Sequence, residues 1–169
     1  MKRNDADIPP QGRHVYAVRV YYEDTDAGGV VYHATYLRYA ERARTEALRA
    51  LGIPHAEMVR QYGVMFVVRR IEVDYLRAAR LDDSLAVETE ALAVGGASVT
   101  LRQTVRHMAD QAGQDAEGAC TVLIVRLACV PPGGNKPGRL PPRWRSLLQA
   151  MRDARPADTD VNAAAIGAG

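Results

Sequence analysis

The chain has 169 residues, of which 47% are hydrophobic and 25% are charged. This length suits a single domain with one core, and the apolar fraction argues against a chain that is disordered throughout. Lysine and arginine number 22 against 20 aspartates and glutamates, which leaves a net charge of +2. Because the two signs are almost balanced, the chain lacks the strongly basic character that is typical of nucleic-acid-binding proteins.

The sequence contains no signal for a membrane or for export. No apolar run approaches the roughly 18 to 20 residues that a membrane-spanning helix requires. The start, residues 1–7, is polar, and the apolar segment of a signal peptide does not follow it. We therefore expect a cytoplasmic protein without membrane insertion. Cys120 and Cys129 are too far apart for a CxxC pair and lie in an apolar run, which predicts two buried thiols.

The first half of the chain predicts a strand, a glycine-bearing connection and a long helix. Residues 1–13 contain two prolines and a glycine, and we expect a flexible N-terminal lead. β-branched and aromatic side chains predict a strand over residues 14–22, and residues 23–32 form the connection. From 33 to 51 the pattern is helical, because five residues recur at steps of three and four in one apolar stripe: Tyr36, Ala40, Ala43, Ala47 and Leu51.

The rest of the chain is mostly strands. Gly52 and Pro54 end the long helix, and a short helix is predicted over residues 54–61. Residues 133–138 break the strand pattern and precede a short helix at about 142–153 and a tail that we expect to be disordered. Between these helices, alternating or continuous apolar patterns predict four strands, at residues 64–76, 85–94, 99–107 and 120–130.

This order predicts an α+β fold in which a five-stranded antiparallel sheet wraps around one long central helix. A helix of this length spans about 28 Å at 1.5 Å per residue. The three alanines in its stripe permit close packing against a sheet. The opposite side of the helix is charged and includes Arg44 together with an i,i+4 pair, Arg42 and Glu46.

The connection before the helix carries the candidate site. The carboxylate of Asp26 can act as a nucleophile or as a general base. Gly28 and Gly29 permit positive φ and close backbone approach. The N–H groups at the helix start, near His33, have no intrahelical partner and lie at the positive end of the helix dipole, where they can stabilise an oxyanion. Together these features favour acyl transfer.

Two alternatives remain open for the carboxylate. Asp26 also suits an Asx-type turn or a helix-entry cap, which are structural roles. Asp24 lies two residues earlier, and residues two apart share a face in an extended segment. The residues alone therefore do not separate Asp24 from Asp26.

The same region resembles a known family, the Tol-Pal-associated acyl-CoA thioesterases of the 4-hydroxybenzoyl-CoA thioesterase-like, hotdog-fold superfamily. The resemblance begins with residues 19–33, RVYYEDTDAGGVVYH, and extends over roughly residues 15–132. Ala78 departs from the family, which commonly has proline there. The further matching residues are Tyr36 and the segments 41–46, 66–69 and 79–83.

The resemblance implies a hotdog domain over residues 14–132, followed by an extension over residues 133–169 to which it assigns no role. It implies a homo-oligomer, a dimer or a dimer of dimers (a homotetramer), with active sites at the dimer interface. It implies hydrolysis of acyl-CoA, with acyl carrier protein as a possible alternative carrier, and neither a metal nor a cofactor. The catalytic residues that it implies are Asp26, His33 and Tyr22.

Substrate contacts are predicted from the glycines and from the arginines. Gly28, Gly29 and Val30 are expected to lie against the substrate. Arg69 is expected to contact the phosphates of coenzyme A, as one of four arginines grouped near one strand end, with Arg70, Arg77 and Arg80. His14, His55 and His107 have no partner at metal-ligand spacing, and we expect them at the surface.

Two other functions compete with the thioesterase. A hotdog hydroxyacyl thioester dehydratase pairs a histidine with a carboxylate, but its glycine- and proline-rich signature is absent after His33. A non-catalytic module that binds acyl-CoA or acyl carrier protein needs no carboxylate beside the thioester. Glu41 and Glu46 on the helix are further carboxylates, but they lie among arginines and indicate an ion-paired face.

Overall fold

The computed structural model describes residues 9–110 and 118–156. Most of the predicted N-terminal lead, the centre of the loop before the last strand and the predicted disordered tail lie outside the described residues.

Five antiparallel strands form one sheet, as the sequence predicts. Their order in the sheet is β1-β3-β4-β5-β2, so β1 and β2 are the two edge strands. The strands are β1 (Arg13–Arg19), β2 (Met65–Tyr75), β3 (Ser84–Val94), β4 (Ser98–His107) and β5 (Ala119–Val130).

Three α-helices accompany the sheet in the described residues, and they match the long helix and the two short helices that the sequence predicts. They are α1 (His33–Ala50), α2 (His55–Tyr62) and α3 (Pro142–Asp153). The longest of them is α1, with 18 residues. Gly63 ends α2 with a φ of 60°, which a residue with a side chain adopts at a cost.

The apolar stripe of α1 is confirmed, since all five of its residues are buried. The charged side differs from the prediction. Arg44 is buried, with 6% of its surface exposed. Glu46 pairs with Arg49 rather than with Arg42, and the Arg42 guanidinium lies 5.3 Å from the centre of the Tyr39 ring. An i,i+3 pair, Glu46 with Arg49, thus replaces the predicted i,i+4 pair.

A buried amide joins α1 to the sheet. The Gln103 side chain, on β4, is fully buried. Its Nε2 donates hydrogen bonds to the main-chain oxygen of Ala40 and to Oγ1 of Thr89, each at 2.9 Å. Its Oε1 accepts one from Nη1 of Arg44 at 2.7 Å. Both donors of the amide group are therefore satisfied, and one acceptor position is used, as a buried polar group requires.

The other face of the sheet carries buried ion pairs. Glu88 and Glu90 alternate along β3 with the residues that face α1, and both are buried. Glu88 lies 3.3 Å from Nη1 of Arg13 and 3.4 Å from Nε of Arg106, and Glu90 lies 2.8 Å from Nη2 of Arg102. Pairing of this kind is what permits carboxylates to be buried.

The C-terminal extension packs into the core. Trp144, Leu148 and Met151 of α3 are buried, and the Trp144 ring lies 5.3 Å from that of Tyr62 at the end of α2. The N-terminal segment passes close to the same helix, because a Cβ at Gly12 would lie 2.2 Å from the main-chain oxygen of Met151. Helix α3 thus belongs to the same hydrophobic core as the sheet and α1.

Two simpler expectations concern the cysteines and the membrane. Cys120 and Cys129 are both buried free thiols, which confirms the prediction. Of the helices in the described ranges, none has the length and apolar character that a bilayer span demands.

We predict that Gln103→Met destabilises the fold by about 1–3 kcal/mol, because it leaves the Ala40 oxygen and one Arg44 nitrogen buried without this partner. Thr89→Val removes one neutral acceptor from the same amide and should cost about 1 kcal/mol or less. Urea unfolding of both variants measures the difference. Equal stability of Gln103→Met and the wild type would contradict the role given to this amide.

Candidate functional site

The connection between β1 and α1 is a tight hairpin. Thr25 and Val31 form an antiparallel bridge. The N–H of Asp26 donates to the oxygen of Val30, and the N–H of Gly29 donates back to the oxygen of Asp26, both at 3.0 Å. An aspartate at the first position and a glycine at the fourth suit such a turn, and Gly29 has a φ of 70°. The hairpin leads directly into α1.

The structure separates the two aspartates that the sequence leaves equivalent. Residues 22–24 form a 3₁₀ turn, so the segment is not extended. Asp24 is buried, and its Oδ2 accepts the N–H of Tyr21 at 2.9 Å. Burial, and after it the neighbouring Asp24 carboxylate, raises the pKa of Tyr39. Asp24 is therefore enclosed by protein groups.

Asp26 is exposed. Its Oδ1 accepts the N–H of Gly28 at 2.8 Å, which is an Asx-type turn. In the described part of the chain, no hydrogen bond to its Oδ2 is found. One carboxylate oxygen is thus held by the turn while the other faces solvent. The structural and the chemical interpretation of this residue are compatible, because they use different oxygens.

The start of α1 leaves backbone donors free. Tyr32 is the N-cap residue and makes no side-chain cap. The N–H of Thr35 donates to the oxygen of Tyr32 at 2.8 Å. The N–H groups of His33 and Ala34 have no hydrogen-bond acceptor among residues 9–110 and 118–156. Two such donors at the positive end of a helix dipole form a site that attracts a developing oxyanion.

Aromatic rings surround the helix start, which the sequence analysis did not anticipate. The hydroxyl of Tyr75, at the end of β2, donates to the oxygen of His33 at 3.0 Å. The Tyr75 ring also lies 5.9 Å from that of Tyr36, whose hydroxyl accepts the N–H of Ala79 at 3.1 Å. Burial raises the pKa of Tyr36. The sequence did contain a signal for Tyr75. Along β2 apolar and charged residues alternate, and Tyr75 belongs to the apolar series that faces the helix.

The remaining residues near the hairpin occupy different environments. Tyr22 is 82% exposed, and its main-chain oxygen accepts hydrogen bonds from Thr25. Within the described residues its hydroxyl makes no hydrogen bond to Asp26. The N–H of Gly28 is held by Asp26, while a Cβ at Gly29 would meet no atom within 4 Å. Val30 is half-buried and forms an isolated bridge with Arg80.

The predicted group of four arginines does not form. Arg69 is exposed at a β-bulge in the middle of β2, and Arg70 beside it pairs with Glu72 at 3.0 Å. Arg77 lies beyond the end of β2 and pairs with Asp110. Six steps along β2 lead from Arg69 to Tyr75, about 20 Å at 3.3 Å per residue, and Arg77 lies beyond that end of the strand. The prediction grouped these side chains because they are close in sequence. In the structure, the extended strand holds Arg69 and Arg77 apart.

Two histidines are more enclosed than expected. His14 and His55 are half-buried, and burial lowers the pKa of each. The third, His107, lies 3.7 Å from Asp83. Across the described ranges, no group of three histidine, cysteine or carboxylate side chains is arranged to hold a metal ion.

A pocket of about 50 Å³ lies between α1, α3 and the sheet. That volume accommodates a few waters or methylene groups. Glu41, Arg44 and His55 are its charged or titratable residues. The rest of its lining is mainly apolar and includes Leu48 of α1 and Leu51 just after it, Phe66 and Val68 of β2, Leu101 and Leu127 of the sheet, and Leu148 and Met151 of α3.

Comparison with known proteins gives the family. Residues 28–113 match the family described as the Thioesterase superfamily. The chain is 44% identical over 137 residues to the acyl-CoA thioesterase YbgC of Haemophilus influenzae, covering 81% of this chain and 95% of that protein. It is also 44% identical over 126 residues to the acyl-CoA thioester hydrolase YbgC of Escherichia coli O6:H1, covering 75% of this chain and 88% of that protein.

A solved structure agrees with these relatives. The probable thioesterase from Bartonella henselae superposes with a TM-score of 0.68 at 34% identity, covering 76% of this chain and 99% of that one. The family match spans half of the chain, and both YbgC relatives are covered over most of their length. The turn that carries Asp26 and the open start of α1 therefore lie in a protein that belongs to the thioesterase superfamily.

Proposed function

We propose that this chain hydrolyses the thioester of an acyl-CoA, releasing the free acid and coenzyme A. The observation that carries the proposal is the exposed carboxylate of Asp26 on a hairpin that leads directly into the uncapped start of α1. The YbgC relatives, which are named as acyl-CoA thioesterases, support the substrate class.

In this proposal the start of α1 stabilises the negative charge of the reaction. Attack on the thioester carbonyl moves an electron pair onto the carbonyl oxygen. The N–H groups of His33 and Ala34 donate to that oxygen. Their orientation is fixed by the helix before the substrate arrives, so no reorganisation accompanies the reaction.

Asp26 supplies the attack, through the oxygen that the turn leaves free. As a general base it takes a proton from water, whose oxygen then bonds to the carbonyl carbon. As a nucleophile it bonds to that carbon itself, and water later hydrolyses the anhydride. In either case the carbon–sulfur bond breaks and the thiolate of coenzyme A leaves and takes up a proton. Both routes need the same carboxylate.

Other residues bind and orient the substrate in this proposal. The His33 imidazole orients the carboxylate or the leaving thiolate, and Tyr22 lies at the edge of the site. Gly28, Gly29 and Val30 form the backbone surface along which the thioester lies, and the open space at Gly29 supports this. Arg69, exposed on β2, contacts a phosphate of coenzyme A.

The proposal includes a homo-oligomer, a dimer or a dimer of dimers, whose active sites lie at the dimer interface. Its support is the edge strand β2, where Val68 and Tyr75 are 45% and 49% exposed on the side that faces the core. A second copy that covers them would bury this apolar surface. Helix α1 then corresponds to the central helix of a hotdog fold, with α2 and α3 added to it.

The proposal has three further parts. They are membership of the Tol-Pal-associated branch, a cytoplasmic location and the use of acyl carrier protein as a carrier.

The oligomer is tested by sedimentation equilibrium of the purified chain, which reads mass directly. We expect twice or four times the chain mass of 18.5 kDa. A Val68→Lys substitution places a charge on the exposed apolar surface of β2 and should shift the distribution toward the monomer. A wild type that sediments as a monomer at all concentrations would remove the interface from the proposal.

Asp26→Asn should lower kcat by at least about a hundredfold, since general-base catalysis typically contributes that much. The fold should persist, because the asparagine oxygen still accepts the Gly28 N–H. Thiol release from a panel of acyl-CoAs measures the effect.

Asp24→Asn is the matched control two residues away. It should lower the melting temperature while changing kcat by less than about tenfold. Wild-type kcat in Asp26→Asn would refute the assignment, and binding without turnover in the wild type would favour a binding module.

His33→Pro tests the backbone donor. Proline lacks the N–H but is tolerated at the first position of a helix. Tyr32 already has a ψ of 133°, which suits a residue before proline. His33→Ala removes the imidazole and keeps the N–H. We expect His33→Pro to lose about a further hundredfold in kcat beyond His33→Ala, the magnitude typical of one oxyanion donor. Equal kcat in the two variants would show that this N–H is not a donor to the oxyanion.

A further inference from the structure

One face of α1 carries residues of both the candidate site and the pocket beneath α3. Residues three or four apart lie on one face of a helix. Starting from His33, this face continues through Leu37 and Glu41 to Arg44 and Leu48. Leu37 is half-buried, and the last three of these residues line the pocket. The distance along the helix from His33 to Leu48 is about 22 Å at 1.5 Å per residue.

Strand β2 also carries residues of both the candidate site and the pocket. Tyr75 contacts His33 at one end of the strand, and Phe66 and Val68 line the pocket at the other. Between them Ile71 and Val73 pair with core residues of β5 and are half-buried. The bulge at position 69 keeps Val68 and Ile71 on the same face although they are three residues apart, because it adds one residue to the strand.

Helix α3 contributes part of the pocket wall. Leu148 and Met151 line the pocket and are 3% and 1% exposed. They extend from the C-terminal helix, which is held against the sheet by the core packing of Trp144. The far end of the pocket is therefore closed by a segment outside the family match at residues 28–113.

The charged residues in the pocket are neutralised by one another. Arg44 donates to Glu41 and to the fully buried Gln103, so its charge is paired within the protein. Burial lowers the pKa of Arg44. With Glu41 and Arg44 paired, the lining that remains is mainly apolar apart from His55, which suits methylene groups rather than a polar ligand.

We infer that the acyl chain of the substrate runs from the start of α1 along this face and ends in the pocket, where Leu148 and Met151 of α3 set the longest chain that is accepted. The inference rests on the proposed function and deepens it, by assigning acyl-length selection to the C-terminal helix. The ligand class is a straight, unbranched acyl group, because the pocket of about 50 Å³ holds only a few methylene groups and its lining is mainly apolar.

The test is the profile of kcat/KM against chain length for saturated straight-chain acyl-CoAs. Leu148→Ala and Met151→Ala deepen the pocket, and we expect the longest accepted chain to increase. Ala47→Val adds two methyl groups to the pocket wall and should shorten it. At the limit of the profile, each methylene group should change kcat/KM by about tenfold or more. The two kinds of variant are expected to shift the profile in opposite directions.

Leu140→Ala is the control, because Leu140 is 1% exposed on the same extension but does not line the pocket. It should destabilise the protein without moving the profile. If Leu148→Ala does not fold, Ala47→Val alone decides the question. Profiles that stay unchanged in active Leu148→Ala or Ala47→Val overturn the inference and leave the thioesterase intact. A wild type that hydrolyses no acyl-CoA overturns the proposed function instead.

Discussion

The Gln103 amide is the interaction on which the site depends. It bonds a main-chain oxygen in the middle of α1 to the centre of the sheet, and it holds Arg44 within the core. A helix packed on a sheet by alanines alone can slide, because small side chains interlock little. The buried amide fixes the helix at one register, since a shift would leave polar groups unsatisfied. The start of α1 is then held beside Tyr75.

The hairpin before α1 gives one residue two tasks. The Asx-type bond between Asp26 and Gly28 stabilises the turn, and it orients the carboxylate so that its second oxygen remains open to solvent. Asp24 has the same chemistry, but the 3₁₀ turn directs it inward. The difference between a structural and a candidate catalytic aspartate is therefore a difference of local backbone, and not of residue type.

Much of the fold was accessible from the sequence, because hydrophobic periodicity is local information. The stripe of α1 and the five strands were located within a few residues of their observed bounds. What failed depends on contacts between distant segments. Arg44 was expected on a solvated face, and its burial requires Gln103, which lies 59 positions away. The sequence predicted the helix of residues 142–153, but it did not indicate that Trp144 would be buried and would pack this helix against the core.

The candidate site shows the same division. The motif of residues 19–33 indicated Asp26 and the helix start, and these lie where a hairpin and an uncapped helix meet. Tyr75 was missed because it reaches His33 from a strand 42 positions later in the sequence. The grouping of Arg69 with Arg77 was wrong, since adjacency in sequence becomes separation along an extended strand.

The central claim is that the thioester carbonyl lies between Asp26 and the first N–H groups of α1. A crystal structure of the Asp26→Asn variant with an uncleaved acyl-CoA tests it most directly. The account predicts the carbonyl oxygen within hydrogen-bonding distance of the His33 or Ala34 nitrogen, and the carbonyl carbon facing residue 26. A thioester bound away from the start of α1, with those nitrogens hydrogen-bonded to solvent, would contradict it.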